Sequence, residues 1–349
     1  MLSQKNRTLV MPTLHNKINK EELKAQVLED STKRVTLSFY RYQEIADPKA
    51  FRNELYRLLE PIGVLGRIYV SQEGINAQVS VPEPKFEAFR EALYGIEWLD
   101  EVRLNVAIED DGKSFFVLKI KVRGKIVADG LDHGTYDLNQ RGTPLDAKSY
   151  NDLTSQPETI VVDMRNHYES EVGYFKGAIR PDVDTFREAL PLVEDMLEDK
   201  KDKPIIMYCT GGIRCEKASA YYRQKGFDNV FMVEGGIIEY TRQCREQGLE
   251  NKFIGKNFVF DDRLGERITE DIVSRCHQCG KPSDRHVNCA NNSCHLLFIQ
   301  CEECAKKYNH CCSNTCKDYI ALPLKEQHRL RGSITFNGSK FGKGRFKKQ

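Results

Sequence analysis

No apolar run in this 349-residue chain approaches the roughly 20 residues that a membrane-spanning helix needs. Met1 to Lys20 lacks a sustained apolar core, so it is not expected to act as an export signal. Net charge is nearly absent: 53 Lys and Arg against 51 Asp and Glu leave +2, which gives no bulk argument for nucleic acid. No flavin or nicotinamide motif is seen, because a dinucleotide fingerprint is missing; so is a facial triad of two histidines and a carboxylate. These absences point to a cytoplasmic globular protein of about two or three domains, off the membrane, with no protein partner implied.

Cysteine, by contrast, is plentiful. Nine of the twelve fall between Cys276 and Cys316. Without an export signal, metal binding is a stronger expectation there than a disulfide framework.

Taken in order, residues 1–30 read as an extension with a short helix from Asn19 to Glu29. Residues 31–126 alternate strand and helix patterns as βαββαβ, a ferredoxin-like (acylphosphatase-like) α+β domain. Its helices are expected at Pro48–Leu59 and Pro84–Tyr94 from their apolar spacing. It offers no nucleophile and no metal cluster. Arg67, Tyr69 and Asn76, with Lys119, Lys121, Arg123 and Lys125, make either a solvated face or an RNA-contacting one. Residues 127–148, rich in Gly and Asp, read as a linker.

Residues 149–250 alternate strands and helices again, as expected of an α/β domain with a mainly parallel sheet. Strands are expected at Thr159–Asp163, from Gly177 to Ile179, at Pro204–Tyr208 and at Val230–Phe231. Ligands bind beyond the C-terminal ends of such strands, where Asp163 and Cys209 lie. The run Cys209-Thr210-Gly211-Gly212-Ile213-Arg214-Cys215 joins a buried strand to a helix. Backbone N–H groups converge at such a junction and can lower a thiol pKa or cradle an anion on its sulfur. Only four residues separate Cys209 from Arg214, one fewer than a phosphatase loop has, which disfavours phosphate chemistry.

Asp163-x-Arg165, Tyr168-Glu169, Gly177-Ala178 and Cys209-x-x-Gly212-x-Arg214 together resemble a rhodanese domain. The resemblance implies that Cys209 takes up a persulfide sulfur, that Thr210 to Arg214 cradle it, and that Asp163 and Arg165 fix the loop from the neighbouring strand. Cys215 departs from the Ser or Ala common there and places a second thiol beside the first, a candidate for resolving a persulfide or disulfide. Across about residues 30 to 320 the chain is also similar to the bacterial tRNA uridine hydroxylases of the rhodanese superfamily. The added marks are Glu216-Lys217 after the loop and Gly255 to Arg263 before the cysteine-rich segment. That resemblance implies oxygen-dependent formation of 5-hydroxyuridine at wobble position 34, with molecular oxygen as co-substrate and the tRNA anticodon stem-loop as partner. Spacing alone points instead to persulfide transfer; a non-enzymatic RNA-binding scaffold is a third reading.

In residues 251–324, Cys276-x2-Cys279 and Cys301-x2-Cys304 can each place two thiolates on one metal. Two structural zinc ions are expected, with an iron–sulfur cluster or metal-free thiols as alternatives. One division groups Cys276, Cys279, Cys301 and Cys304, and separately Cys289, Cys294, Cys312 and Cys316. A sequential division takes Cys276 to Cys294, then Cys301 to Cys316. Cys311 can replace Cys312, and His277, His286, His295 and His310 are alternative donors. Residues 325–349 form a basic segment with interleaved phenylalanines. It is expected to be a flexible arm contacting RNA through Lys340, Lys343, Arg345, Lys347 and Lys348.

Overall fold

The computed structural model describes residues 14–16, 18–110, 112–132, 134–338 and 344–347. The chain divides into two units, one running to Ile126 and the other from Val127 onward, with Ala107–Glu109 assigned to the second.

The first unit contains α1 (Lys20–Glu29), β1 (Arg34–Tyr42), α2 (Pro48–Leu59), β2 (Leu65–Ser71), β3 (Gly74–Pro82), α3 (Phe86–Tyr94), β4 (Asn105–Val106) and β5 (Leu118–Val122). Helix α2 starts where its sequence dictates: Asp47 accepts hydrogen bonds from the Lys49 and Ala50 amides, and Pro48 occupies the first turn. Phe51, Leu55 and Leu59 of α2, with Phe89 and Leu93 of α3, pack on Leu37, Phe39, Ile68, Val70, Ile75, Ala77 and Val79 of the sheet. The strand order is β4-β1-β3-β2-β5. The expected last strand is divided. Asn105–Val106 pairs with β1, while Leu118–Val122 lies parallel to β2 at the opposite edge.

The second unit opens with β6 (Thr143–Leu145), α4 (Ala147–Leu153), β7 (Ile160–Asp163), α5 (His167–Ser170), β8 (Gly173–Phe175), α6 (Phe186–Leu197), β9 (Ile205–Tyr208), α7 (Ile213–Gln224), β10 (Val230–Val233) and α8 (Gly236–Gln247). Its parallel sheet has the order β6-β10-β9-β7. All four residues of β9 are buried, as expected of a strand covered on both faces. Ile205 and Met207 pack toward α6 and α7, whereas Ile206 and Tyr208 pack among residues of α4 and α8. The segment read as a linker carries the edge strand β6 and joins this unit. The strand expected at Gly177–Ile179 is reduced to a bridge from Ile179 to Val162. Gly173–Phe175 forms the strand there instead, because β11 (Phe253–Asn257) pairs with it antiparallel.

After β11 come β12 (Glu266–Arg267), β13 (His286–Asn288), β14 (Leu297–Ile299), α9 (Glu302–Lys307), α10 (Asn314–Ala321) and α11 (Leu324–Leu330). Five of the seven buried residues in the core under this region are cysteines (Cys289, Cys294, Cys311, Cys312 and Cys316), beside Leu296 and Phe298, with Val287, Ile320, Phe336 and Phe346 partly buried against them. So small an aliphatic core gains little stability from burial alone.

Candidate active site and cysteine clusters

The loop after β9 is built by opposed demands on its backbone. Gly212 caps α7 at φ 96°, a left-handed conformation that glycine adopts without strain. Its amide donates to Cys209 Sγ at 3.2 Å. The loop carbonyls are held from behind: the Ile237 amide donates to Cys209 O at 3.0 Å and the Ile238 amide to Thr210 O at 3.3 Å. Both donors belong to the first turn of α8, where amides lack intrahelical partners. Gly236 permits this approach, since a Cβ there would lie 2.5 Å from Cys209 O and 2.6 Å from Thr210 O.

Burial pushes the Cys209 thiol up. The Cys215 Sγ–H bond, the Arg214 guanidinium and the amides of Arg214 and Gly212 outweigh it, and the pKa falls to about 6. Cys215 is driven the other way, first by burial and then by its bond to Cys209, so it stays the proton-bearing partner. Both thiols are fully buried. Arg214 does not point at Cys209 alone. Its two terminal nitrogens clamp the Glu169 carboxylate at 2.7 and 2.8 Å, and Glu169 also accepts from the Asn166 amide at 3.1 Å.

Asp163 and Arg165 form a separate buried strut. Arg165 Nε and Nη2 donate to Asp163 at 2.9 and 2.6 Å, Nη2 also donates to Gly173 O at 2.7 Å, and the Tyr208 hydroxyl donates to Asp163 at 2.7 Å. The strut thereby ties β7 to the end of β9, one residue before Cys209. Phe258–Phe260 packs over the loop: the Thr210 hydroxyl donates to Phe258 O at 3.4 Å, and the Arg214 guanidinium lies 5.8 Å from the Phe260 ring centre.

Two contributors are not evident from the sequence. Gly236 reads there only as part of a turn into a helix. Lys217 and Asp129 form a fully buried ion pair at 2.8 Å that anchors α7 to the segment read as a linker. The Tyr136 hydroxyl and the Leu131 amide complete the Asp129 carboxylate.

Eight of the nine clustered cysteines fall into two quartets, Cys276, Cys279, Cys301 and Cys304, and Cys289, Cys294, Cys312 and Cys316, with all sulfurs of each within 4.8 Å of one another. Neighbouring sulfurs stand 3.7 Å apart at Cys279–Cys301, Cys294–Cys312 and Cys312–Cys316. A tetrahedral site with metal–sulfur bonds of about 2.3 Å has an edge of about 3.8 Å, so the residues fit a thiolate-bound metal. Donors also converge on the second quartet: the Cys312 amide on Cys289 Sγ at 3.4 Å, the Gly338 amide on Cys294 Sγ at 3.3 Å and Asn291 Nδ2 on Cys316 Sγ at 3.4 Å. The quartets could therefore each hold a metal ion. Cys311 is buried beside the second quartet but outside it, and His277, His286, His295 and His310 belong to neither. His277 instead meets Glu171 at 2.6 Å, and His286 stacks edge-on to Phe258 at 5.1 Å.

Among the basic residues read as RNA contacts, Lys119, Lys121 and Arg123 are exposed at β5 and just beyond it. Arg345 bridges Asp182 and Asp184 at 2.9 and 2.8 Å, and Phe346 stacks on Phe298. These contacts dock part of the basic segment, and Lys347 follows directly. Lys340, Lys343 and Lys348 lie outside the described residues. No helix among the described residues is long and apolar enough to cross a membrane.

Three family profiles match the chain: the UPF0176 acylphosphatase like domain over residues 34–126, the rhodanese-like domain over 146–243, and the rhodanase C-terminal region over 254–317. Among curated proteins, the tRNA uridine(34) hydroxylase of Sodalis glossinidius is 57% identical over 337 residues, covering 96% of both chains. That of Pectobacterium atrosepticum is 56% identical over 336 residues, covering 95% of both. Among solved structures, a rhodanese-like domain from an Anabaena species matches 32% of this chain and 78% of its own, at 18% identity and a TM-score of 0.26.

Proposed function

We propose, from the premise that the chain belongs to the tRNA uridine(34) hydroxylase family, that it converts wobble uridine of tRNA to 5-hydroxyuridine through Cys209, with molecular oxygen as co-substrate. The observation that carries the residue assignment is the cradle in which Cys209 is held near pKa 6 by Cys215, Arg214 and two loop amides. A thiolate of that kind is populated at neutral pH and remains nucleophilic.

The thiolate adds to C6 of the uracil ring, and the electron pair moves onto C5 and the C4 carbonyl. C5 then attacks the terminal oxygen of a peroxide-level oxidant. A C–O bond forms, the O–O bond breaks, and hydroxide leaves. Loss of the C5 proton expels the thiolate and restores the ring. Starting from molecular oxygen, the same balance needs two electrons and two protons, which a thiol-class reductant supplies. Arg214 and the Asp163–Arg165 strut position the loop, and Cys215 keeps a proton directed at the nucleophile. Zinc is the metal we assign to both quartets, in closed sites that hold the cysteine-rich region folded. The RNA partner is the anticodon stem-loop, met in the cytoplasm.

Cys209 has no exposed surface, so a base reaches its sulfur only when the residues around the loop open. The Cys215 thiol bonded to Cys209, placed to resolve a persulfide, keeps persulfide transfer as the second reading. Mass spectrometry of the complex with 5-fluorouridine-substituted tRNA separates them. The hydroxylase reading predicts a stable RNA adduct on the peptide carrying Cys209, because fluorine at C5 blocks the final proton loss. A persulfide on Cys209 and sulfur in the nucleoside product would replace it with the second reading.

A further inference from the structure

The sheet of the first unit has a second face, opposite α2 and α3, whose composition neither the core nor the Cys209 site explains. Strand register places its residues in rows. Tyr40 lies opposite Asn76, Asn76 opposite Tyr69, and Tyr69 beside Lys121. Two residues along each strand, the next row reads Ser38, Gln78, Arg67 and Lys119. The two lysines are exposed and the other six side chains half-buried, so the rows are reachable from solvent. No strand position on this face of β1, β2, β3 or β5 carries a carboxylate. Asp110 meets the face at Thr36, a row further on.

The chemistry of the rows is specific. Tyr40 and Tyr69 stand two strands apart, about 10 Å at the usual strand spacing. Between them Gln78 donates to Asn76 Oδ1 at 2.6 Å, and Asn76 donates to Ile126 O at 3.2 Å, so the amide pair has a set orientation. The Arg123 guanidinium lies 5.6 Å from the Tyr69 ring centre, so a cation stands beside the ring on which a base would stack. Aromatic rings for stacking, fixed amides for base edges and cations along one side are what an unpaired nucleic acid strand requires. An RNA duplex hides its base faces and would leave the tyrosines without a role.

We propose that this face binds single-stranded RNA, namely the unpaired loop of the tRNA substrate, with bases stacked on Tyr69 and Tyr40 and phosphates along Arg67, Lys119 and Lys121. Only the identity of that RNA rests on the hydroxylase reading.

The test measures binding of the full chain to a fluorescein-labelled RNA stem-loop with an unpaired uridine-containing loop, against a blunt duplex of the same length. The stem-loop is expected to bind more tightly. Tyr69→Ala should weaken it about 5- to 100-fold, whereas Tyr69→Phe, which keeps the ring, should stay close to wild type. Arg67→Gln with Lys121→Gln should lower the slope of log K against log salt by about 1.4. Ultraviolet cross-linking of the unaltered protein to 4-thiouridine RNA should mark peptides of β1, β2 and β3, a readout independent of any variant's folding. Unchanged affinity in Tyr69→Ala overturns the proposal. So does a charge effect without a ring effect, the pattern an acidic protein partner would give, and so do cross-links confined to the second unit. Hydroxylation measured on the same proteins separates the two readings. Face-dependent binding without hydroxyuridine would leave the site standing and remove the activity. Hydroxylation with wild-type binding in every variant would do the reverse.

Discussion

The glycine that begins α8 offers a sharp perturbation of the active loop from outside it. In Gly236→Ala the new methyl would lie 2.5 Å from Cys209 O, 2.6 Å from Thr210 O and 2.7 Å from the Gly211 amide nitrogen. All three are backbone atoms, and two are carbonyls already held by Ile237 and Ile238, so they cannot rotate away. Alanine also inherits φ +67°, which costs about 1–2 kcal/mol. The same helix supplies its own control. Gly248, at its other end, has φ +65°, and a methyl added there would meet nothing within 4 Å. Gly248→Ala therefore carries the conformational cost alone, about 2–4 °C in Tm per kcal/mol for a domain of this size. Gly236→Ala adds displacement of the loop that holds Cys209. A shift approaching 1 Å at a reacting group costs on the order of 100-fold in rate. Thermal melting with tRNA hydroxylation kinetics on both variants checks this. If Gly236→Ala kept the activity of Gly248→Ala, the claim that α8 shapes the cradle would be wrong.

Three further outcomes follow from the same structure. The folded pKa of Cys209 lies below its unfolded value, so the stability it contributes is complete above about pH 8.5 and is lost as pH falls through about 6. Denaturant unfolding of wild type minus Cys209→Ser should rise with pH across that window, by at most about 1.4 kcal/mol per pH unit; a flat difference would mean the thiolate is not favoured in the fold. The purified protein should carry two thiolate-bound metal ions, with Cys276→Ser and Cys289→Ser each losing a different one; elemental analysis and cobalt-substituted absorption spectra would reveal loss of the same ion from both, which contradicts the interleaved quartets. Lys217→Met, which strands Asp129 without its buried cation, should cost about 3–5 kcal/mol, and Asp129→Asn in the same chain should recover part of it; a Tm equal to wild type would show the pair to be dispensable.

What the amino-acid order reveals depends on how local each cause is. The Cys209 loop is legible because strand, glycines and helix follow one another within a short stretch. The same locality exposes the α2 start at Asp47-Pro48. Gly236 is legible only as a turn residue, since its need for a bare Cα comes from a loop that packs against it in space. Lys217 and Asp129 are 88 residues apart, and glycine and aspartate around residue 130 read as linker until the fold closes on them. Cysteine spacing permits both pairings of the quartets. Beside the antiparallel β13–β14 pair, the His277 amide donating to Ile299 O sets Cys276 and Cys279 next to Cys301 and Cys304. Gly177-Ala178-Ile179 misleads about the strand because β11, which arrives from beyond α8, selects Gly173–Phe175 as its partner.

The most direct measurement is nucleoside analysis of tRNA from a strain deleted for this protein and rescued with wild type, Cys209→Ser or Cys215→Ser. Catalysis through the Cys209 thiolate predicts 5-hydroxyuridine at position 34 with wild type, none with Cys209→Ser, and a reduced amount with Cys215→Ser. Full 5-hydroxyuridine with Cys209→Ser would contradict it.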